Sequence, residues 1–290
     1  MCKGINMADI WLLIQALVER GLIYSLVVLG VYITSRIIKF DDLTVEGSFG
    51  LGGALGVAGL LWGLHPALTM FIVLCAGACA GLITGLLHTT LRINNLISGI
   101  VVTTGLFSIN LKIAGANATI IGQQTIFDMV PASLSIYKFL PVLILVAMVA
   151  IYGVRIFLNT EIGYLIRAVG DNPQMLTNLG KNIHHYKITA LVLGNMLTAC
   201  AGALFAHYVG YFSIWASVGI LVSALAGLIL AELIGPGIGI SLALGSIMYQ
   251  AIITTTFELE LAQEWNKLVT AVLIVALLAI KSYTATKTRK

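Results

Sequence analysis

The sequence predicts an all-α polytopic membrane protein with about nine transmembrane helices, folded as a single domain over residues 1–290. Hydrophobic residues make up 59% of the chain and charged residues only 10%, with a mean hydropathy of +1.01. A soluble domain of this length needs more charge to cover its surface. Apolar runs of about 18 residues or more recur along the chain, which is typical of membrane helices, whereas a β-barrel would show short alternating segments.

The predicted spans follow one another with mostly short connections. The first contains Glu19 and Arg20, so residues 8–18 could instead lie along the membrane interface while residues 21–38 cross. The last is short, and counts of eight to ten spans therefore fit as well. The predicted spans are residues 10–34, 45–64, 67–88, 95–114, 139–158, 188–209, 217–234, 238–256 and 267–281.

The basic residues predict an orientation with the N-terminus outside and the C-terminus in the cytoplasm. In this orientation 11 of the 16 Lys and Arg residues fall on cytoplasmic segments, where membrane proteins carry an excess of these residues. The loop at residues 159–187 then faces the cytoplasm, and the loops near 115–138 and 257–266 face outward. The five basic residues on the outer side are Lys3, Arg20, Lys112, Lys138 and Lys267.

The cytoplasmic loop at residues 159–187 is patterned like a short amphipathic helix and not like a slack connector. Apolar residues recur there at helical spacing, with polar residues between them. A membrane protein that presents such a helix to the cytoplasm usually offers it to a partner. The apolar positions are Ile162, Leu165, Ile166 and Val169, and the polar positions are Glu161, Arg167 and Asp171.

Local signals bound this predicted helix at both ends. Asn159 or Thr160 can cap its start, because their short polar side chains accept hydrogen bonds from free backbone N–H groups. Gly170, followed by Asn172 and Pro173, supplies the end.

A second polar stretch separates the first two spans and is followed at once by glycines. Its polar residues are Asp41, Asp42, Thr44, Glu46 and Ser48. Acidic groups at such a place predict a broken or re-entrant element that lines a translocation path. The alternative is a capped loop, in which an acidic or hydroxyl side chain caps the next helix and a carboxylate in its first turn is favoured by the helix dipole.

A third polar group lies in and just before the fourth predicted span. Neutral polar side chains in a membrane helix commonly bridge helices, and they equally suit a path that binds a solute weakly. Both interpretations stay open for this group. Its residues are Asn94, Asn95, Ser98, Thr103, Thr104 and Asn110.

Motifs of catalysis, metal binding and nucleic-acid binding are not found in the sequence. Gly180-Lys181 lacks the upstream glycines of a phosphate-binding loop, and no zinc-protease or nucleophile-elbow motif occurs. No basic stripe suggests nucleic acid. We therefore expect no cofactor and no enzymatic activity. A transport-like chain without an energy source indicates that another subunit supplies the energy.

The cytoplasmic loop carries a recognisable motif. Its order T-x-x-G-x-x-x-R-A-x-G-x-N resembles a segment of ATP-binding cassette (ABC) importer permeases of the branched-chain amino acid and ribose type. The stretch DLTVEGSF is similar to that of a narrower subgroup, the tryptophan/tyrosine-type uptake permeases of bacteria. The residues that carry the first resemblance are Thr160, Gly163, Arg167, Ala168, Gly170 and Asn172, followed by Gly180 and Ile183.

The resemblance implies a permease subunit in the bacterial cytoplasmic membrane that imports a small solute, an amino acid and in the narrower subgroup an aromatic one. It implies three protein partners: a separate ABC ATPase, an extracytoplasmic binding protein or lipoprotein, and a second permease copy in a homodimer. The loop would then form the coupling helix that docks on the ATPase. The residues implied in this coupling are Thr160, Glu161, Gly163, Arg167, Ala168, Gly170, Asp171 and Asn172.

Other classes of transporter remain as alternatives. A secondary transporter driven by an ion gradient would need an intramembrane carboxylate or unwound helices in two symmetric halves. Asp41, Asp42 and Glu46 could serve, but no matching half occurs in the sequence. An exporter subunit of an ABC system would have the same architecture with the opposite direction of transport.

Overall fold

The structure, a computed structural model, describes residues 7–129, 139–235, 239–258, 268–276 and 279. Helices dominate this part of the chain. They are α1 (Met7–Val31), which continues as a π-helical turn (Tyr32–Ile37), then α2 (Thr44–Leu61), α3 (Pro66–Thr89), α4 (Asn95–Ala114), α5 (Phe139–Leu158), α6 (Glu161–Asp171), α7 (Pro173–Asn178), α8 (Ile183–Val209), α9 (Ile220–Ile234) and α10 (Ile240–Glu258).

Two short strands and two 3₁₀ turns complete the described elements. Strand β1 (Asn117–Thr119) pairs antiparallel with β2 (Tyr211–Ser213), so that Ala118 lies opposite Phe212. The 3₁₀ turns are Ile126–Met129 and Ile214–Ser217. The small sheet therefore joins the segment after α4 to the segment after α8.

Seven helices in the described ranges are long and apolar enough to cross a membrane. They are α1 with its π-helical turn, α2, α3, α4, α5, α8, and α9 with the 3₁₀ turn before it. Helix α10 carries a shorter apolar stretch, Ile240–Thr255. Residues 268–276 of the ninth predicted span are helical, and most of the remainder of that span lies outside the described residues. The all-α polytopic class is confirmed.

The first span is one helix and is not divided at its charged pair. Glu19 is buried, and its Oε1 accepts a hydrogen bond of 2.8 Å from Gln15 Nε2 one turn earlier. The helix continues through Arg20 to Val31, and the π-helical turn carries it on to Ile37. The polar pair is therefore accommodated inside the helix bundle instead of ending the helix.

Helix α8 is the centre of the bundle because small residues let α2 and α3 approach its backbone. A Cβ added at Gly52 would collide with the Ala199 carbonyl, and one added at Gly81 would collide with the Leu191 carbonyl. Small residues at four-residue spacing permit such close helix contacts in membranes. Small residues recur at this spacing from Gly52 in α2 and from Gly77 in α3, and both series thus serve packing within the chain.

We expect Gly81→Ala to lower the thermal stability of the purified protein, because the added methyl group overlaps the α8 backbone. Overpacking of this kind costs about 1–3 kcal/mol. Gly153→Ala is the matched control, since nothing lies within 4 Å of a Cβ at that helical position. The control should be neutral or stabilising, because Ala favours a helix over Gly by about 1 kcal/mol. Equal melting temperatures for the two variants would contradict close packing of α3 on α8.

Candidate functional site

The predicted cytoplasmic element is present as two helices, α6 and α7, between the spans α5 and α8. Thr160 is the N-cap of α6, and its Oγ1 accepts a hydrogen bond of 3.4 Å from the Gly163 N–H. Helix α6 ends at Asp171. Asn172 then caps α7, where its Oδ1 accepts a hydrogen bond of 3.2 Å from the Met175 N–H.

Glycines hold one face of α6 against the ends of two spans. A Cβ at Gly163 would collide with the backbone of Phe157 and Leu158 at the end of α5. A Cβ at Gly170 would collide with the carbonyl oxygen of Ile37, where the extension of α1 ends. Ile166 is buried on the same face. Helix α6 is therefore fitted to the bundle at two points, and only glycine permits either contact.

Helices α6 and α7, with the residue that follows α7, also expose apolar side chains. The exposed fractions are 49% for Ile162, 58% for Tyr164, 55% for Met175 and 61% for Leu179. Of the predicted apolar positions, Ile166 and Val169 are buried and Leu165 is half-buried, whereas Ile162 is exposed. Met175 and Leu179 are not among the residues predicted from the sequence, although their apolar side chains within a polar stretch could have indicated a contact surface. These four side chains are called the exposed apolar face below.

The charged groups of α6 lie around this face. The Arg167 guanidinium carbon lies 5.9 Å from the centre of the Tyr164 ring, a cation–π arrangement. Asp171 Oδ1 lies 3.5 Å from Lys39 Nζ, and both side chains are mostly exposed, so this pair adds little stability. Glu161 is exposed in the first turn, where the helix dipole favours a negative charge. Ala168 is half-buried.

The segment at residues 38–43 leads from the α6 contact into the interior of the bundle. The Phe40 N–H donates a hydrogen bond of 2.8 Å to the Thr34 carbonyl, and the Phe40 ring meets the His88 ring edge-on at 5.0 Å. The Leu43 carbonyl accepts a hydrogen bond of 2.7 Å from Thr103 Oγ1 of α4. Helix α2 therefore begins among α3, α4 and α8, and not at the surface.

Asp42 is clamped at this point by a buried hydrogen-bond network. Its Oδ1 accepts from the Thr44 N–H at 2.9 Å, and its Oδ2 accepts from Asn195 Nδ2 at 2.7 Å. Asn195 lies near the middle of α8, and its Oδ1 accepts a hydrogen bond of 2.6 Å from Ser48 Oγ. Thr44 Oγ1 also lies 2.7 Å from Thr84 Oγ1 of α3. These side chains are all buried, so the network satisfies polar groups that would otherwise be costly to desolvate.

The three acidic residues of this stretch occupy different environments. Asp41 is exposed, Asp42 is buried, and Glu46 is half-buried. Glu46 Oε1 accepts a hydrogen bond of 3.0 Å from the N–H of Gly219, the N-cap residue of α9. Helix α2 is unbroken, and its N-cap residue is Leu43, which makes no side-chain cap bond, while Asp42 accepts from the N–H of the first helical residue, Thr44. The capped-loop alternative does not describe the burial of Asp42 or its bond to α8.

Several polar residues of α4 bond only to their own helix, and one of them, Thr104, is exposed. Asn94 caps α4 through a hydrogen bond of 3.0 Å from the Leu96 N–H, and Ser98 Oγ donates to the Asn95 carbonyl at 2.8 Å. Thr104 is exposed and bonds within its own helix.

Thr103 and Asn110 instead join α4 to α2 and to the connection before it. Asn110 Nδ2 donates a hydrogen bond of 3.3 Å to the Gly47 carbonyl. Its Oδ1 is buried and has no hydrogen-bond partner among the residues that the structure describes. The predicted path residues of α4 therefore do not all lie on one surface.

The whole chain resembles known transport permeases. Residues 13–278 match the family described as "Branched-chain amino acid transport system / permease component". A tyrosine transport system permease protein of Clostridioides difficile (strain R20291) is 33% identical over 274 residues, which cover 92% of this chain and 90% of that protein. No solved structure matches the chain significantly.

The chain is also similar to a permease that is named for another cargo and to an uncharacterized protein. The autoinducer 2 import system permease protein LsrC of Enterobacter sp. (strain 638) is 27% identical over 245 residues, which cover 82% of this chain and 70% of that protein. An uncharacterized protein of Rickettsia prowazekii (strain Madrid E) is 34% identical over 222 residues, which cover 76% of this chain and 77% of that protein.

We expect Asp42→Asn to destabilise the protein, because one amide oxygen cannot replace the two carboxylate oxygens that accept from Thr44 and Asn195. Leaving a buried donor unpaired costs about 1–3 kcal/mol. Asn195→Asp alone should also destabilise, since it sets two carboxylates against each other. The double variant restores a donor–acceptor pair and should be more stable than the sum of the single effects predicts.

Thermal unfolding of the four proteins in one detergent measures this coupling. Asp41→Asn is the control for the loss of a negative charge at an exposed neighbouring position. Additive effects of the two single substitutions would show that Asp42 and Asn195 do not interact.

Proposed function

This chain belongs to the family of permease components of branched-chain amino acid transport systems, and from this premise we propose that it is the pore-forming subunit of an ABC importer for an amino acid. It is a multi-pass integral membrane protein, and its family is one of transporter permease subunits. The cargo that we propose is an aromatic amino acid, which the named tyrosine permease relative supports.

The proposed topology has nine spans in the bacterial cytoplasmic membrane, with the N-terminus outside and the C-terminus in the cytoplasm. The excess of basic residues on one side supports this orientation. In addition to the seven apolar helices, α10 and the helical residues 268–276 supply the two further spans. Helices α6 and α7 then lie on the cytoplasmic side, and β1 and β2 lie on the outer side.

The observation that carries the proposal is that α6 both packs tightly on the bundle and exposes apolar side chains. One face is held to the ends of two spans through Gly163 and Gly170, while the exposed apolar face is not covered by the residues that the structure describes. A soluble ATPase that covers this face would bury apolar area, and the Arg167 guanidinium at its edge could pair with a carboxylate of the ATPase and fix the orientation. Residues 160–172 thus act as the coupling helix.

The contacts of α6 suggest how motion of the ATPase reaches the pore. Gly170 lies against Ile37, and the chain runs from Ile37 through the buried Phe40 to Asp42. Asp42 is bonded to Asn195 of α8 and sits at the start of α2. A push on α6 would therefore move the entrance of α2 relative to α8 without an intervening flexible loop. The pore alternates access when such packed elements shift between two arrangements.

Glu46 extends this connection to α9. Its bond to the Gly219 N–H links the first turn of α2 with the N-terminus of α9. We propose that Asp42, Glu46 and Asn110 position α2 for the transport cycle, and that the exposed Thr104 belongs to a surface available to the second permease copy. The outer loops receive a loaded binding protein or lipoprotein, and that protein supplies most of the selectivity.

We expect Arg167→Glu to abolish co-purification with the ATPase and ATP-driven uptake while membrane insertion and thermal stability persist. Reversing a charge at a desolvated interface should weaken binding by roughly 30-fold or more, about 2 kcal/mol. The measurement is pull-down of the co-expressed ATPase from detergent, followed by uptake in proteoliposomes. Arg92→Glu is the matched control, because it makes the same charge reversal at an exposed position in the connection between α3 and α4.

Three results would decide against the proposal. Normal docking and uptake in Arg167→Glu would remove the coupling assignment from α6. Uptake by wild-type protein that needs no ATPase and collapses with the ion gradient would establish a secondary transporter. Transport of substrate from the ATPase side to the opposite side would identify an exporter.

A further inference from the structure

A cavity of about 480 Å³ lies between α1, α8, α9 and α10, and it is separate from the Asp42 network. Its wall includes Arg20 of α1, Val209 at the end of α8 and Gly219 before α9. With the proposed topology these positions lie in the outer half of the membrane, on the side where a binding protein would release its cargo. The volume falls within the range of roughly 300–1,000 Å³ that is typical of small-molecule sites.

Arg20 gives this cavity a positive charge that the described residues pair only in part. Its Nε is buried and has no hydrogen-bond partner among the residues that the structure describes. The ion pairs found in those residues are Arg36–Glu232 and Lys39–Asp171, and Arg20 takes part in neither. The neighbouring Tyr208 hydroxyl lies beside both Glu19 and Arg20. Arg20 as a whole is half-buried, and a buried guanidinium N–H without a partner is costly and suits a planar carboxylate ligand.

Another part of the cavity wall carries neutral hydrogen-bonding groups that are already held in place. The Tyr249 hydroxyl donates to Ser223 Oγ at 2.9 Å and lies 3.1 Å from Thr270 Oγ1. Tyr249 and Gln250 are buried, and the Gln250 side chain interacts with the Tyr24 hydroxyl. Neutral donors and acceptors of this kind can bind an ammonium group or a phenol without adding a second charge.

Aromatic rings form the remaining side. The Tyr24 and Phe205 rings meet edge-on at 6.1 Å, and Tyr211 also lines the cavity. Such rings favour another aromatic ring in edge-to-face or offset geometry, with about 0.5–1.5 kcal/mol beyond the area buried.

We propose that this cavity binds an amino acid with an aromatic side chain, whose carboxylate pairs with Arg20 and whose ring packs against Tyr24 and Phe205. The assignment rests on the proposed function, because it places a binding site within the permease on the route from the binding protein. It goes beyond that function by giving the pore subunit its own recognition of the carboxylate and the ring.

A second cavity continues from this site towards α2. It has a volume of about 310 Å³ and shares Phe205 and Tyr211 with the first cavity. Gly50 and Gly53 of α2 form part of its wall. The rings of Phe205 and Tyr211 therefore lie between the proposed binding site and the glycines of α2. The N-terminal end of α2 is in turn connected to α6.

The test is equilibrium binding of tritiated L-tyrosine to the permease–ATPase complex in nanodiscs, without the binding protein. Arg20→Gln should raise the Kd by roughly 10- to 100-fold, the size of a lost charge-assisted hydrogen bond. L-Tyrosinamide lacks the carboxylate and should compete poorly in the wild type, whereas Arg20→Gln should no longer distinguish it from L-tyrosine. L-Alanine, without the ring, should compete poorly in both proteins.

Lys112→Gln is the matched control, because it removes an exposed cation near the end of α4, away from the cavity. Its Kd should equal that of the wild type. Saturable binding in the wild type with no difference between L-tyrosine and L-tyrosinamide would overturn the role of Arg20. No saturable binding would overturn the site. An anionic lipid that is retained by the wild type, lost in Arg20→Gln and not displaced by L-tyrosine would also overturn it.

ATP-driven uptake in proteoliposomes, with the binding protein present, separates this inference from the proposed function. Uptake with the same KM and the same maximal rate in the wild type and Arg20→Gln would support the importer and show that the cavity has no part in transport. Arg20-dependent binding without ATP-driven uptake would retain the site and reject the importer.

Discussion

The burial of the Asp42 carboxylate inside the helix bundle is the constraint on which the surrounding structure depends. A carboxylate in an apolar interior needs donors, and here the Thr44 N–H and the Asn195 amide supply them. This requirement holds the start of α2 against the middle of α8. It also determines that residues 38–43 must turn back into the bundle after the first span instead of remaining at the surface.

Close packing follows from this position of α2. An interior helix that lies beside α8 along much of its length has room only for small side chains at the contact, and Gly52 meets the α8 backbone directly. Helix α3 approaches α8 from another side through Gly77 and Gly81. In a membrane, where lipid is as apolar as the protein interior, such van der Waals contact and the buried hydrogen bonds are the main sources of helix association.

The same constraint connects α6 and α7 with the interior of the bundle. Gly170 of α6 contacts Ile37, only five residues before Asp42, so a displacement of α6 has a short and well-packed route to α2. Glu46 carries the connection to α9, and the N-terminus of α9 borders the proposed binding cavity. The route from α6 and the connection to the proposed cavity thus meet at the N-terminal end of a single buried helix, α2.

Local composition, length and capping are enough to predict the membrane class, most of the spans and the amphipathic helix between α5 and α8. Thr160 caps α6 as one of the two predicted candidates, and the helix ends at Asp171, just before the Asn172 and Pro173 predicted to stop it. The contact between Asp42 and Asn195 could not be predicted in this way, because the two residues are 153 positions apart and the sequence marks Asn195 merely as a lone polar group. The exposure of Ile162 and the position of Arg20 at a cavity likewise follow from the fold. Such pairings depend on which helices are neighbours, and hydrophobic periodicity carries no information about that.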